Sequence, residues 1–388
     1  MWENRNQWND DWESKYATWV SEHWTKSFFM DEKHPEYYKI AHDCGDSSYF
    51  IRLVFAYENR LPFVINNPSK PGGLLTNQTS RFDRLPIGKR LRAFLSFIAN
   101  VTNTWSLSSD TYPIALKSLR SGDIFVSPGS HSYQIIKIKE IGVPLLMSST
   151  TPKAAHFMYT LEEFPLFLPT EMDKMTDGYR RFRQPRDIHK AAEELPDFSA
   201  EQYQLAEDVN YNYIEFSNVL VDLLLKRPET LEEKVERLLK GLCVLAKHRV
   251  EYVNDGLNYL QRINNHRKCM TRDEYIRYSS YNRDLRLTVY FNQLRRYRYQ
   301  LYRKGEDSAA LTLLDAIFTG GEPSLLNKSK LRQQCQIFYS PTSEQTLNLQ
   351  DIWSSISAGR LESNPHATRE QRWGIADKPY VRVCPHYE

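Results

Sequence analysis

The sequence predicts an α+β fold: a helix that begins on a cysteine and packs against a small antiparallel sheet, followed by a large α-helical region. Three observations carry that expectation. Tyr49, Phe50, Leu53, Val54 and Tyr57 recur at three- and four-residue spacing, which marks an amphipathic helix from about 45 to 59. GDIFVSPGSHSYQIIKIKEIGVPLLMSST, from Gly122 to Thr150, changes period and reads as strands divided by turns. From about 196 to 340 the spacing is helical almost throughout.

Each element follows in order. The helix at about 45–59 has Cys44 at its N-terminus, and a second helix at about 86–100 carries Leu91, Phe94, Leu95 and Ile98 on one face. The meander then runs through a short strand, a Ser127-Pro128-Gly129 turn, a strand at about 132–140, a turn at Gly142 and a strand ending near Ser148. A helix at about 200–226 opens the next region. Two T-x-x-E capping boxes follow, Thr230 with Glu233 and Thr271 with Glu274. The first starts a run through Leu238, Leu242, Leu245, Val253 and Leu257, the second a run through Leu285 and Leu294, so a bundle or long antiparallel helices are expected. The expected domains are 1–195, 196–340 and a polar tail, 341–388, that packs on the rest.

Composition limits the functional classes. A chain of 388 residues with 41% apolar content buries at least one sizeable core. Fifty-one Lys and Arg against 48 Asp and Glu leave a net charge of +3, so no global field draws the chain to nucleic acid or anionic lipid. Five Cys, widely spread, form no C-x-x-C pair and have no His at metal-ligand spacing, so neither a metal nor a cofactor is expected. Cys243, Cys269, Cys335 and Cys384 read as core or surface thiols. The opening MWENRNQWNDDWESK lacks the basic and apolar regions of a signal peptide. The chain is therefore expected to be cytoplasmic if it starts here, or exported with its signal removed. The longest apolar run, VLVDLLL at 219–225, is too short to span a bilayer.

The chemistry centres on AHDCGDSSYF, residues 41–50. A thiol at a helix N-terminus meets unpaired N–H groups and the positive end of the macrodipole, which favour thiolate. The same N–H groups are placed to hold an oxyanion. The base must come from elsewhere in the chain. His131 follows a tight turn and leads into a strand that can hold its ring. His42 precedes the helix, His156 lies in a less regular segment, and His189, His248, His266, His366 and His386 show no connection to the Cys44 motif.

HDCGDSSYFIRLVFAYENRLPF, followed by SGDIFVSPGSHSYQIIKI, resembles the cell-wall cysteine peptidases of the NlpC type in the papain-like superfamily. There an Asp-Cys pair opens the catalytic helix, a Gly-Asp pair opens the next strand and a His begins the strand after it. Here these are Asp43 and Cys44, Gly122 and Asp123, and His131. The resemblance spans roughly residues 36–150. It implies a papain-like fold, cleavage of an amide bond in peptidoglycan stem peptides through a thioester, and a cell-envelope or periplasmic location. The family's Ser-Gly after the Cys is replaced by Gly45-Asp46, and its third polar residue, commonly His, Asn or Gln, by Ser148 or Ser149. Ser148 is taken as the third member. ENRLPFVI also resembles the segment after the nucleophile in transglutaminases, which makes acyl transfer the nearest rival. A binding or scaffold protein that keeps the papain-like shell is the alternative of another class.

Asp43, Arg180 and Arg181 are the candidate substrate-binding residues. GYRRFRQP brings Arg180, Arg181 and Arg183 together, either to grip a carboxylate or as a basic connecting loop. LRRYRYQLYRK at 294–304 alternates Arg with Tyr in a way that suits an anionic polymer. A solvated helix face is the plainer expectation. Nucleic acid is not an expected partner, a peptide or peptidoglycan substrate is, and the helical region's protein partner cannot be read.

Overall fold

The computed structural model describes residues 1–149, 153–162, 164–165, 167–264, 267–305, 308–319, 325–341 and 344–387, with only the backbone of 325–328. It divides into two compact units, Met1–Pro228 and Glu229–Glu388. Helical periodicity alone places the boundary at 195/196, but residues 196–228 are held by the first unit. The Gln202 amide accepts from the Tyr179 N–H (2.7 Å) and donates to the Tyr179 carbonyl (3.0 Å), while the Lys226 N–H donates to the Glu140 carbonyl (2.6 Å).

The first unit runs α1 (Asp10–His23), α2 (Cys44–Glu58), β1 (Val64–Asn66), β2 (Leu74–Thr76), α3 (Ile87–Val101), α4 (Thr104–Asp110), β3 (Thr111–Pro113), β4 (Ile124–Ser127), β5 (His131–Ile138), β6 (Pro144–Ser148), β7 (Tyr159–Glu162), β8 (Gly178–Phe182), α5 (Glu201–Asp208) and α6 (Tyr213–Leu224). β3 to β8 form one antiparallel sheet in the order β3-β8-β4-β5-β6-β7. The molecule is thus mixed α/β, with a small antiparallel sheet as expected. The expected helix at 200–226 is two helices, because Asn210 and Tyr211 adopt φ of 50° and 55°, outside the helical region, and Asn212 then caps a fresh start.

α2 is the centre of this unit. Its sequence reads as amphipathic, yet every residue from Cys44 to Ala56 is buried. The face that periodicity assigns to solvent is covered by the aromatic N-terminal segment. The rings of Trp8, Tyr16 and Trp19 pack on Phe55, and the Arg52 guanidinium pairs with Glu13 and stacks 3.5 Å from the Trp8 ring centre. Burial on all sides makes α2 a rigid mount for the residue at its tip.

The second unit runs α7 (Leu231–Ile263), α8 (Arg272–Tyr278), α9 (Tyr281–Lys304), α10 (Ala309–Phe318), α11 (Leu325–Gln334), β9 (Ile337–Phe338), β10 (Thr346–Leu347), α12 (Leu349–Ser357) and α13 (Arg369–Arg372). Both capping boxes form. The second run breaks after Tyr278, because the Ser280 N–H is diverted to the Ser363 carbonyl (3.1 Å) and its hydroxyl to Asp284 (2.9 Å). The tail from 341 is part of this unit and buries Arg372 and Trp373 completely.

Four cysteines read as thiols are instead two disulfides, Cys243–Cys335 and Cys269–Cys384. Their partners lie 92 and 115 residues apart, a proximity that spacing cannot reveal. Cys44 is the one free cysteine. No described helix is long and apolar enough to cross a membrane.

Candidate active site

Cys44 is the first residue of α2. Asp43 caps the helix in an extended conformation. Its carboxylate accepts from the Asp46 N–H (3.1 Å), and the Asp46 carboxylate accepts from the Asp43 N–H (3.0 Å). The motif that starts the helix therefore sets two acids beside the thiol. Cys44 is 4% exposed. Burial, then the Asp43 charge, push its thiol up to about 12, against the opposing pull of the Ser132 and Gly45 backbone N–H groups that face the sulfur. The sequence reading of a thiol activated by its helix terminus is corrected on this point: desolvation and the carboxylates outweigh the N–H groups.

Polar contacts staple β5 to the first turn of α2. The Ser132 hydroxyl donates to the Cys44 carbonyl (2.8 Å) and lies 2.9 Å from the Ser48 hydroxyl. The Gln134 amide donates to Ser48 (2.8 Å) and Ser47 (3.1 Å). All four side chains are buried, so register between helix and strand is fixed by groups with no solvent alternative. Strand alternation turns Ser132 and Gln134 to α2 and His131 to the side of Tyr133, whose ring it meets edge to face at 4.5 Å.

His131 opens β5. Its Nε2 lies 3.0 Å from the Ser148 hydroxyl and 2.8 Å from the Tyr159 hydroxyl. Ser148 and Tyr159 face each other across β6 and β7. The Ser148 hydroxyl also reaches the Ser132 carbonyl (2.6 Å). Nε2 donates to these hydroxyls or accepts from them according to the tautomer of the ring. Tyr159 was not a sequence candidate. Its signal is the register of β7, which follows an irregular stretch and is too short to stand out by alternation.

A second cluster adjoins the first. His42 Nδ1 lies 2.8 Å from the Ser149 hydroxyl, which lies 2.6 Å from His156 Nε2. The two rings meet edge to face at 4.7 Å. Burial, with His156 beside it, pulls His42 down to about 3, so it is neutral at ordinary pH. Lys153 Nζ pairs with Asp46 (2.9 Å), yet burial and Asp43 still push Asp46 up to about 7.

Cys44 and Asp43 share the tip of α2, while His131 and Ser148 share a hydrogen-bonded cluster with Tyr159. Arg180 and Arg181 are not with them. Arg180 is 2% exposed and donates to the carbonyls of Met175, Ser108 and Thr111 and to the Thr111 hydroxyl. Arg181 forks onto Asp123 (2.7 and 3.0 Å) and reaches Asp197 (2.6 Å). These guanidiniums are consumed inside the sheet, which corrects their reading as substrate grips. The Gly-Asp pair has the same explanation: Asp123 anchors Arg181, and Gly122, at φ +89°, lies where a Cβ would fall 2.4 Å from the Tyr16 ring. His266 lies outside the described residues, as do all three positions of 150–152.

Fold and site together define an α/β unit in which a helix N-terminus supplies a thiol and an antiparallel strand a hydroxyl-backed imidazole. No protein-family model, curated protein or solved structure matches the chain.

Proposed function

We propose that the first unit is a papain-like cysteine hydrolase that cleaves an amide bond in a peptide, with peptidoglycan stem peptides as the substrate class. The observation that carries this reading is a pair of motif residues on joined elements: Cys44 opens α2, and His131 opens β5, whose next residue, Ser132, donates its hydroxyl to the Cys44 carbonyl. In the proposed reaction His131 takes the Cys44 proton as sulfur attacks the carbonyl carbon. First-turn N–H groups of α2 stabilise the oxyanion. The tetrahedral intermediate then expels the amine, which takes the proton from His131, and leaves a thioester. Water, deprotonated by His131, attacks that thioester, and the departing Cys44 thiolate recovers the proton. Asp43 is the proposed contact for a cationic substrate group. The two disulfides support an oxidising compartment, in keeping with an envelope location.

Cys44→Ala is expected to abolish release of fragments from purified peptidoglycan while leaving the melting curve in place. Equal digestion by that variant overturns the proposal. One observation favours a second reading, a non-catalytic papain-like binding shell: Cys44 is almost wholly buried and its thiol is raised rather than lowered. Persistent tight binding of peptidoglycan fragments by wild type without turnover would select it.

A further inference from the structure

α9 exposes a face that its own unit leaves uncovered. Its first half presents Tyr281 and Leu285, each about half exposed, and its second half Arg295, Arg296, Tyr299, Tyr302 and Arg303, all exposed. At 100° per residue, Tyr281, Leu285, Arg296, Tyr299 and Arg303 fall within one narrow stripe. The helix contains a single acid, Asp284, and Arg249 occupies its carboxylate. Arg298 is paired with Asp315 (2.6 Å). Arg295, Arg296, Arg303 and Lys304 form no ion pair among the described residues. Glu306 and Asp307 follow the helix in sequence and lie outside those residues.

We infer that this face of α9 is a peripheral docking surface for a bilayer containing anionic phospholipid. Unpaired guanidiniums are fitted to lipid phosphates. Exposed Tyr rings on the same stripe suit the headgroup level, where one end of the ring is apolar and the other wet. Leu285 on the same line distinguishes a bilayer from a nucleic acid, which has no use for an exposed aliphatic side chain beside its backbone. The surface lies on the disulfide-bonded unit and is independent of the catalytic reading.

The experiment is co-sedimentation of the full chain with vesicles of phosphatidylcholine, with and without phosphatidylglycerol. Wild type is expected to sediment only with the phosphatidylglycerol vesicles and to be released by high salt. The triple variant Arg295→Gln, Arg296→Gln, Arg303→Gln, in which Arg295 gives up a position 5.8 Å over the half-buried Trp353 ring, is expected to weaken binding roughly 100-fold, from about fivefold per cation. Tyr299→Ser with Tyr302→Ser is expected to weaken it with no change of charge. Sedimentation with neither vesicle, equal sedimentation with both, or undiminished binding by the folded triple variant overturns the inference. Capture of a phosphate-rich oligonucleotide without vesicle binding overturns it as well and assigns the face to a soluble polyanion.

Discussion

Asp43→Asn isolates the charge that sits on the thiol. Asn is as good an N-cap as Asp, so the substitution preserves the acceptor for the Asp46 N–H while removing the carboxylate that helps raise Cys44. A nearby like charge shifts a titration by about one to three units. Asp43 is half-buried, which places its effect at the low end, about one unit. A thiol falling from about 12 by about one unit has about tenfold more thiolate at neutral pH, but each thiolate is less nucleophilic, with a Brønsted slope of about 0.4–0.5. The two effects leave a net gain of roughly threefold in the rate of exchange with a small thiosulfonate, read by intact mass. The pH at which labelling reaches half its maximum should fall by about one unit in the same experiment. Wild-type labelling that titrates near the ordinary thiol value of about 8.5, or a folded variant with an unchanged profile, refutes the claim that burial and carboxylates govern this cysteine.

Four further outcomes follow from the same geometry. Asp46 is raised above its unfolded value, so its contribution to stability is fully present below about pH 4 and lost as pH rises through about 7; wild type should gain on Asp46→Asn by up to about 4 kcal/mol as pH is lowered from alkaline to acid, and a pH-independent difference in thermal midpoints contradicts this. Intact mass after alkylation without reductant should show one modifiable thiol on unfolding, and reduction should destabilise the second unit by up to about 4–5 kcal/mol per bond, given closed loops of about 90 and 115 residues; five modifiable thiols contradict the pairing. Arg181→Met should cost about 3–5 kcal/mol in denaturant titration by stranding Asp123, whereas an unchanged midpoint with a raised KM restores Arg181 to the substrate. Ser148→Ala with Tyr159→Phe should lower kcat about 10- to 100-fold with little change in KM, because the imidazole loses the two hydroxyls that hold its ring; unchanged kcat removes both from the mechanism.

The parts of the fold legible in sequence are those written in local periodicity and turn chemistry. α2, α3, β5 and β6 fall within a residue or two of their expected positions because apolar spacing, Gly142 and the Ser-Pro-Gly turn are local signals. What failed needed contacts at long sequence separation. The two disulfides, the Arg181–Asp123 fork and the division of the units depend on residues brought together only by the finished fold. Within the candidate site, motif order points to Cys44 and His131, and Ser148, taken as the third member, does contact the His131 ring. The sign of the Cys44 shift was not readable. It depends on burial of the sulfur and on Asp46 answering Asp43 in a capping box, and neither is visible from a thiol's place at a helix terminus alone.

That shift sets a condition that separates the hydrolase from the binding shell. With the thiol pushed up to about 12 by burial and the neighbouring carboxylates, the free protein holds Cys44 as thiol at neutral pH. Bound substrate has to bring that value down before the sulfur acts as a nucleophile. Asp46 is already matched by Lys153, whereas Asp43 forms no ion pair among the described residues. A substrate amine against Asp43 neutralises the charge that helps hold the thiol up, and it expels water while doing so. A peptide with that amine acetylated leaves Asp43 charged. The hydrolase therefore discriminates between free and acetylated peptides in kcat and not only in KM, because the effect acts on proton transfer. A binding shell discriminates in affinity alone, and its Cys44 is a small buried side chain at the start of a central helix.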